Sequence, residues 1–408
     1  MNAPATHAST LEALKNRKPR HALPQQFYVD PDIYRVDIEE IFYRHWMFVG
    51  TSCEVASPGD YFTISIGGSP IIVLRDEAGV IRAFHNSCRH RGSRICVDDK
   101  GKASTLVCPY HQWTYSLSGN LLSGHLSQSD FDQRLYSLKP IHLATVGGII
   151  FVCLAETAPD FALHRSAVEP YLAPQNLENA KLACEMHWPV RGNWKLMVEN
   201  SRECYHCRVQ HPELMRTFET LDYRQIDVAH AELRKRCAAA GLPAALNLGE
   251  DFQVLRVPFA EGIASVTMDG RPAVSGSLGT LPIKDAGSVR WAHFPSLYAN
   301  IYADHAFLLR MLPIGPQESV LTGKWLVPTD AVPGRDYTVD DLTHVWAITN
   351  AQDKLLIERN QEGVNSRGYE PGPYSEKDEP GVIRFVDWYC SVIERQLGRP
   401  RQKRGLAA

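Results

Sequence analysis

Two short segments of the chain place cysteine and histidine at spacings that suit a metal centre. Cys88 and His90 are separated by one residue, and Cys108 and His111 by two. Each segment offers one thiolate and one imidazole. Thiolates favour soft or borderline metals, and imidazoles suit iron or zinc. We therefore predict that the four side chains converge on one metal centre.

Two kinds of metal centre would use these ligands. A structural zinc ion takes two Cys and two His ligands, whereas a Rieske-type 2Fe–2S cluster takes two Cys on one iron and two His on the other. Zinc modules of this kind place both cysteines before both histidines, but here Cys and His alternate along the chain. The alternation favours the iron–sulfur cluster, and Trp113 is placed to shield it from water.

A second group of candidate ligands follows about ninety residues later. Glu203 and His206 are three residues apart, so on a helix they share one face. His211 lies five residues beyond His206, which on a straight helix would point it elsewhere, but Pro212 disfavours helical geometry at His211. We expect a break that turns His211 back towards His206.

A third ligand for this second site has to come from another part of the chain. Asp353 lies on the apolar stripe of a helix predicted over residues 338–362. A carboxylate on a buried face is costly unless it is paired or binds a metal, so a buried salt bridge is the alternative for Asp353. Together with His206 and His211 it would form the two-histidine, one-carboxylate triad of non-haem Fe(II) oxygenases, which leaves positions open for O2.

The segment around His206 permits two further interpretations. Glu203 and His206 match one half of a ferritin-like di-iron signature, but that fold needs a second copy of the motif, which the sequence lacks. Cys204 and Cys207 form a C-x-x-C, which can be redox-active. Because no thioredoxin-like βαβ pattern surrounds them, we expect these two thiols to pack within a helix.

Different elements must position the two sites. Residues 46–155 show short alternating segments between glycine turns, which predicts a small all-β domain. Before it, residues 1–45 are predicted to hold a solvated arm over 1–25 and a helix over Pro31–Trp46, packed on the catalytic domain.

The second site falls in residues 156–408, which we predict to be a larger α+β domain. Helical patterns cover 192–215 and 338–362. Strand-like segments such as Ala264–Met268 and Ala306–Leu312 lie between them. Strands and helices are grouped rather than strictly alternating, as in α+β folds.

Composition excludes several classes of protein. The 408 residues are 44% hydrophobic and 22% charged, which is ordinary for a globular protein of two or three domains. The net charge of −3 offers no strong field for nucleic acid or an anionic membrane. The longest apolar run, Val146–Ala155, is too short to span a bilayer. The start of the chain has no signal-peptide pattern, so we expect a cytoplasmic protein with reduced thiols.

The order and spacing of both sites resemble those of Rieske non-haem iron oxygenase α subunits over nearly the whole chain. Within that family the chain is most similar to the betaine N-demethylases, which act on glycine betaine or proline betaine. The segments that carry the resemblance are Asn86–Arg94, Cys108–Tyr115, Glu203–Cys207, Gly368–Ser375 and Phe385–Tyr389. One departure is Val198, where relatives often have Trp, and it bears on the substrate rather than on the iron.

The resemblance implies two cofactors and a set of ligands. It assigns the 2Fe–2S cluster to Cys88, His90, Cys108 and His111, the mononuclear Fe(II) to His206, His211 and Asp353, and a bridging role between subunits to Glu203. It also implies a homotrimer, a central antiparallel sheet covered by helices in the catalytic domain, and a flavin/iron–sulfur reductase that supplies electrons from NAD(P)H.

The resemblance further implies O2-dependent N-demethylation of a small quaternary ammonium carboxylate, with release of formaldehyde. A quaternary ammonium group cannot donate a hydrogen bond, so we expect aromatic rings to bind it. The candidate rings are Trp291, Phe294, Tyr298, Tyr302 and Phe307. The alternatives are another Rieske oxygenase substrate (choline, carnitine or an aromatic ring), a non-catalytic electron carrier, which would need only residues 46–155, and a zinc-stabilised binding protein.

Overall fold

A computed structural model describes residues 3–124, 131–217 and 223–398. Within these ranges lie nine α-helices and three antiparallel sheets. The helices are α1 (Ala3–Lys15), α2 (Gln26–Val29), α3 (Pro31–Asp37), α4 (Ala162–Leu172), α5 (Trp194–Ser201), α6 (Cys207–Gln210), α7 (Tyr223–Ala239), α8 (Val339–Val364) and α9 (Pro380–Leu397). None of these helices is both long enough and apolar enough to cross a membrane.

The first sheet and a smaller third sheet form the domain of the Cys and His loops. The first sheet contains β1 (Met47–Thr51), β2 (Asp60–Ile66), β3 (Ser69–Arg75), β4 (Ile81–His85), β5 (Lys100–Lys102), β9 (Pro140–Val146) and β10 (Ile149–Cys153), in the order β1-β10-β9-β4-β3-β2-β5. The third contains β6 (Leu106–Val107), β7 (Thr114–Tyr115) and β8 (Leu121–Ser123). The β2–β3 hairpin turns through Gly67 and Gly68, both at positive φ, as a two-residue turn requires.

The second sheet is the centre of the larger domain. Its strands are β11 (Ala180–Val190), β12 (Asn247–Leu248), β13 (Phe252–Val257), β14 (Ser288–His293), β15 (Leu297–Ile301), β16 (Ala306–Gly315) and β17 (Glu318–Pro328), in the order β11-β17-β16-β15-β14-β13-β12. All neighbouring strands run antiparallel. The predicted α+β class, a small all-β domain beside a helix-covered antiparallel sheet, is confirmed.

The two faces of the second sheet have different neighbours. Alternate residues of a strand point to opposite faces. On β15, Leu297 and Ala299 pack into a core shared with α4 and β10. Tyr298 packs into the other core, which includes side chains of α5, α8 and α9. The sheet therefore lies between the first sheet with α4 on one side and three helices on the other.

The N-terminal segment differs from the predicted solvated arm. Residues 3–15 form α1, which contacts α9. Leu14 and Leu23 are buried, and Arg17 forms an ion pair with Asp387 of α9, with 2.9 Å between nitrogen and oxygen. The prediction was wrong because a few apolar side chains in a basic segment suffice when a complementary helix lies beside them.

The segment predicted as one helix over Pro31–Trp46 also differs from the expectation. The α-helix ends at Asp37, and Ile38–Phe42 continue as a π-helical turn. The Asp37 carboxylate is fully buried and accepts hydrogen bonds from the Lys195 ammonium and the Trp194 indole of α5. This pairing fixes α5 against the N-terminal segment, directly before the second group of candidate ligands.

Two further predicted elements differ in the structure: one is absent and the other is divided. Ala264–Met268 is not a strand. The backbone N–H groups of Ala264 and Ser265 both donate to the carbonyl of Gly270, which makes a compact turn. The helical pattern over 192–215 is divided into α5, α6 and a 3₁₀ turn, and this division brings the ligands together.

Candidate active site

The two Cys and His loops share one backbone arrangement. In each loop the cysteine N–H donates to the carbonyl five residues later: Cys88 to Ser93 at 2.8 Å and Cys108 to Trp113 at 2.9 Å. The cysteine carbonyl accepts the N–H of the residue four positions later, Gly92 or Gln112. That fourth residue has positive φ in both loops. Both loops therefore curl back on themselves and present a thiol and an imidazole in the same way.

The loops bring the four predicted ligands to one place. The thiols of Cys88 and Cys108 are buried, while the imidazoles of His90 and His111 lie nearer the surface, with ring centroids 4.7 Å apart. Burial raises the pKa of the Cys88 thiol, and the nearby Cys108 raises it further. Two thiolates, the form in which cysteine binds a metal, would repel each other in an apolar interior unless a cation neutralised them. The donor set therefore fits a 2Fe–2S cluster with its His side outward.

Two neighbouring side chains support this centre. The hydroxyl of Tyr115 lies 3.3 Å from the Cys88 sulfur and accepts the backbone N–H of Arg89. Trp113 is buried and stacks on His90, with 4.9 Å between ring centroids. Trp113 thus occupies the shielding position that was predicted for it, whereas the contact from Tyr115 was missed.

The second site gathers three ligand atoms from two segments of the chain. The Nε2 atoms of His206 and His211 are 3.1 Å apart. Oδ1 of Asp353 lies 3.2 Å from the first and 3.0 Å from the second. The short helix α6 ends at Gln210, and His211 directly after it is not helical, in agreement with the break predicted from Pro212. Asp353 lies on α8.

This triangle has the dimensions of three adjacent ligands of an octahedral metal. With metal–ligand bonds of about 2.1 Å, two ligands at a right angle lie about 3.0 Å apart. Asp353 Oδ1 is buried and accepts no well-directed hydrogen bond. An orphaned carboxylate oxygen facing two imidazole nitrogens fits a cation that all three would bind. The arrangement therefore fits the two-histidine, one-carboxylate iron site.

The Glu203 carboxylate sets the orientation of His206. It contacts Nδ1 of His206 and also accepts the backbone N–H groups of Tyr205 and His206. A proton on Nδ1 leaves Nε2 with a lone pair directed at Asp353. Burial lowers the pKa of His206, but the neighbouring carboxylates of Asp353 and Glu203 outweigh burial and raise that pKa to about 9. A metal ion must therefore displace a proton to bind.

A different pair of residues orients His211, and the sequence reasoning missed both. Nδ1 of His211 lies 2.8 Å from Oε1 of Gln352. The Gln352 amide nitrogen donates to the Glu213 carboxylate at 3.1 Å, so its oxygen is left to accept from His211. The signal was present, because Gln352 directly precedes Asp353 and Glu213 follows Pro212.

The C-x-x-C pair differs from the expected packed thiols. Cys204 and Cys207 are joined by a disulfide, with Cα atoms 4.9 Å apart. Cys207 is buried at the start of α6, and Cys204 is exposed in the turn before it. The eight cysteines outside this pair are free. The expectation failed because the turn between Glu203 and α6 places the two sulfur atoms within bonding distance.

The five candidate aromatic residues divide between different parts of the second sheet. Tyr298, Tyr302 and Phe307 gather around Trp346 of α8. Phe307 stacks on the Trp346 indole at 4.7 Å, the Tyr298 ring lies 6.4 Å from it, and the indole N–H donates to the Tyr302 hydroxyl at 2.8 Å. We call these four residues the aromatic group.

The other two candidate rings lie elsewhere. Trp291 points to the opposite face of the sheet, where it packs near Phe151 and His164. Phe294 packs against Phe385 and Trp388 of α9. Trp346 was not among the candidates, although its spacing of seven residues from Asp353 places both on one face of a helix.

Comparison with known families agrees with this geometry. Residues 45–130 match the Rieske [2Fe-2S] domain family, and residues 177–395 match the family of the ring hydroxylating alpha subunit (catalytic domain). The chain belongs to the Rieske-type oxygenase α subunits. It is an oxidoreductase, and the predicted cofactors, a Rieske 2Fe–2S cluster and a mononuclear iron, are those of the family.

Individual relatives span nearly the whole chain. The glycine betaine monooxygenase oxygenase subunit of Chromohalobacter salexigens is 44% identical over 402 residues, which cover 96% of this chain and 90% of the relative. The protein of the same description from Pseudomonas aeruginosa (strain UCBPP-PA14) is 42% identical over 399 residues, covering 96% and 93%.

Solved structures show the same fold. The quaternary ammonium Rieske monooxygenase CntA in complex with gamma-butyrobetaine superposes with a TM-score of 0.69 at 20% identity, covering 95% of this chain and 99% of that one. Naphthalene 1,2-dioxygenase from Rhodococcus sp. bound to indole gives a TM-score of 0.68 at 18% identity, covering 95% and 97%.

Proposed function

We propose that this chain is the oxygenase component of a glycine betaine N-demethylase. The observation that carries the proposal is the identity of 42–44%, over 96% of the chain, with two glycine betaine monooxygenase oxygenase subunits. The placement of the aromatic group between α8 and the sheet face that packs against α8 supports it, because aromatic faces attract a quaternary ammonium ion.

In this proposal Cys88, His90, Cys108 and His111 hold the cluster, and His206, His211 and Asp353 hold the iron. The cluster supplies single electrons, and the iron supplies O2 activation when bound. The chain itself keeps the Nε2 lone pairs of both histidines aimed at one point. Trp346 and Asp353 lie seven residues apart on one face of α8, so about 10 Å of helix axis separates the aromatic group from the iron ligands. The substrate would lie between the two groups, with its methyl groups towards the iron ligands.

The overall reaction has a simple balance. One atom of O2 enters a methyl C–H bond of the substrate, and the other leaves as water with two electrons and two protons. The resulting N-hydroxymethyl group breaks at its C–N bond, which yields formaldehyde, a tertiary amine and a proton. The two electrons come from NAD(P)H through a flavin/iron–sulfur reductase.

We further propose that the chain works as a homotrimer in which the cluster of one subunit serves the iron of its neighbour. Glu203 would bridge the two sites, since it already contacts His206 and lies beside exposed apolar side chains. Tyr205 is 68% and Val209 is 80% exposed in the single chain, which is unusual for apolar residues next to a buried site.

The substrate is tested by product release. Purified protein with a reductase, NADH and O2 should release formaldehyde from glycine betaine in stoichiometric amounts. Carnitine, choline and an aromatic acid serve as competing substrates. If an aromatic acid gave a cis-diol while glycine betaine gave no formaldehyde, the substrate assignment would be wrong. A colourless, zinc-loaded protein would contradict the cofactor assignment as well.

The third iron ligand is tested by substitution. Asp353→Ala should abolish turnover and deplete the mononuclear iron, because two imidazoles alone hold Fe(II) weakly. The 2Fe–2S cluster should keep its Rieske EPR signal, since Asp353 belongs to the other site. Normal iron content and activity in this variant would show that another residue is the third ligand.

A further inference from the structure

A concentration of positive charge lies around Phe294, a ring outside the aromatic group. Arg202 and Arg384 both pack on the ring of Phe294, with guanidinium carbons 5.7 Å and 5.2 Å from its centroid. Arg384 is already engaged, because it donates to the backbone carbonyls of Gly249 and Phe252. The two guanidinium groups therefore differ, because the hydrogen bonds of Arg384 hold it to the backbone of the second sheet.

Arg202 lies at the end of α5, four residues before His206. Its Nε atom is buried and has no hydrogen-bond partner. Burial lowers the pKa of Arg202 to about 10, and the neighbouring charges of Arg384 and Arg290 contribute to that shift. A buried guanidinium group among like charges is unfavourable, so this region favours an anion.

Asn300 supplies a second, independent sign of a missing ligand. It is fully buried, and neither its amide oxygen nor its amide nitrogen has a hydrogen-bond partner. Leaving both polar atoms of a buried amide unsatisfied costs stability, and buried polar atoms of this kind are uncommon in folded proteins. A ligand that accepts a hydrogen bond would satisfy the amide nitrogen and remove part of that cost.

The strand register places Asn300 at the same site as the positive charge. Asn300 on β15 lies directly opposite Arg290 on β14 and Phe307 on β16. Directly paired residues share a face of the sheet. This is the face with Tyr298, under α8. Asn300 therefore lies between a guanidinium group and a ring of the aromatic group.

Another buried amide shows why position matters. Gln175 is also buried with both amide atoms unpartnered, but it lies in the 3₁₀ turn after α4. An unpartnered amide is therefore not enough to define a site. Asn300 differs in sharing its sheet face with the aromatic group and with Arg290.

We propose that Asn300, together with Arg202 and Arg290, binds the carboxylate group of a zwitterionic substrate. The proposal rests on the proposed function and adds the orientation of the substrate, that is, which end faces the iron ligands. The ammonium end must approach the iron ligands, since its methyl group is oxidised. The carboxylate end then points to the sheet, where an amide N–H and guanidinium charges meet it. These residues would determine specificity for betaines over quaternary ammonium ions that lack a carboxylate.

The test compares three probes that share parts of glycine betaine. Glycine betaine carries both charges, the tert-butylacetate anion keeps only the carboxylate, and tetramethylammonium keeps only the ammonium. Calorimetric affinities are measured for wild type, Asn300→Leu, Arg202→Met and Arg202→Lys. Gln175→Leu is the matched control, because it removes an equally buried and unpartnered amide outside the site.

The proposal predicts a selective loss. Asn300→Leu and Arg202→Met should weaken glycine betaine and tert-butylacetate at least about tenfold, the scale of a lost charged hydrogen bond. Tetramethylammonium should change less than about twofold, and Arg202→Lys should recover part of the loss. Asn300→Leu should melt no lower than Gln175→Leu, because each removes an unsatisfied amide.

The outcomes separate this proposal from the proposed function. Equal weakening of all three probes, unchanged affinities, or no binding of any probe to wild type would overturn the carboxylate site. If wild type releases formaldehyde from glycine betaine while the variants bind like wild type, only the carboxylate site fails. If tert-butylacetate binds through Asn300 but no quaternary ammonium compound binds or reacts, the carboxylate site stands and the proposed function fails.

Discussion

The two histidines at the second site are oriented by different chemical groups. His206 donates to a carboxylate, that of Glu203, whereas His211 contacts the amide oxygen of Gln352. A carboxylate makes an imidazole more basic than a neutral amide does. The Gln352 amide donates to the Glu213 carboxylate. A carboxylate therefore acts on each histidine: Glu203 directly on His206, and Glu213 through Gln352 on His211.

The first prediction concerns Gln352 as a positioning residue. Gln352→Leu removes the acceptor for His211 and leaves its ring free to rotate. We expect the affinity of the metal-free protein for Co(II) to fall about 10- to 100-fold, the usual effect of losing such a partner. Visible absorption of the bound Co(II) measures both the affinity and the ligand geometry.

The control for Gln352→Leu exchanges the acceptor and donor groups of Gln352 and Glu213. Gln352→Glu keeps an acceptor for His211 but places a carboxylate against that of Glu213. Adding Glu213→Gln restores a donor opposite the acceptor, so the double variant should recover most of the Co(II) affinity. The Rieske EPR signal should be the same in all variants. A double variant no better than Gln352→Leu would show that this contact does not position His211.

At the scale of single elements, α5 is anchored by buried polar groups. Its Glu199 accepts hydrogen bonds from the hydroxyls of Tyr28 at 2.9 Å and Tyr374 at 3.1 Å. Burial raises the pKa of Glu199 to about 7, although the two hydroxyl groups lower it in part. The folded chain therefore binds a proton that the unfolded chain releases near pH 4.5.

The second prediction follows from that difference in pKa. Because the pKa of Glu199 is raised on folding, the contribution of Glu199 to stability is greatest below about pH 4.5, declines between about 4.5 and 7, and stays lower above. Glu199→Gln cannot ionise, so it should gain about 1–3 kcal/mol over wild type at pH 8 and little at pH 5. Denaturant unfolding at the two pH values measures this. An equal effect at both would mean that Glu199 is ionised throughout.

Helix α4 contributes a group with the opposite dependence on pH. His164 is buried among Phe161, Phe252 and Trp291, and neither imidazole nitrogen has a hydrogen-bond partner. Burial lowers the pKa of His164 to about 2, and the neighbouring His293 adds to the shift. Protonation of His164 must therefore weaken the contact between α4 and the second sheet.

The third prediction is an acid-sensitive contact at His164. A lowered histidine pKa gives stability that is present above about pH 6.5 and lost as the pH falls below it. His164→Leu should reduce the loss of unfolding free energy between pH 7 and pH 5 by about 2 kcal/mol. The exposed His142→Leu serves as control and should leave the loss unchanged. An identical pH profile for wild type and His164→Leu would contradict the assignment.

At the scale of the whole molecule, the two metal sites belong to different domains of one chain. The proposed cluster ligands lie in loops of the first and third sheets, and the proposed iron ligands lie at the two ends of α6 and within α8. The surfaces beside both sites carry exposed aromatic rings, Tyr110 at 55% and Tyr205 at 68%. A head-to-tail ring would cover both patches at once.

The fourth prediction tests that ring by mixing inactive subunits. Cys88→Ser lacks the cluster and Asp353→Ala lacks the iron, so neither homotrimer should turn over substrate. In every mixed ring, one of three interfaces pairs an intact cluster with an intact iron site. Mixed trimers isolated with two affinity tags should therefore show about one third of wild-type turnover. No activity in mixed trimers would mean that electrons pass within a single chain.

Local sequence pattern by itself determined much of the chemistry of this protein. Ligand types and spacings predicted both metal sites and the family, because a metal restricts which side chains can bind it and how far apart they lie. The break at Pro212 and the stripe that carries Asp353 followed from the backbone preferences of a few residues. These features depend on neighbours in sequence, so the sequence alone suffices to predict them.

The tertiary structure decided which distant residues meet. The sequence could not separate Trp291 from Tyr298, because only strand register tells which face of a sheet a residue occupies. It could not pair Gln352 with His211 or Asn300 with Arg290, since those contacts join segments far apart in the chain. The packing of α1 on α9 also joins distant segments. The pKa values of Glu199 and His164 are shifted by burial, and desolvation is a property of the folded molecule.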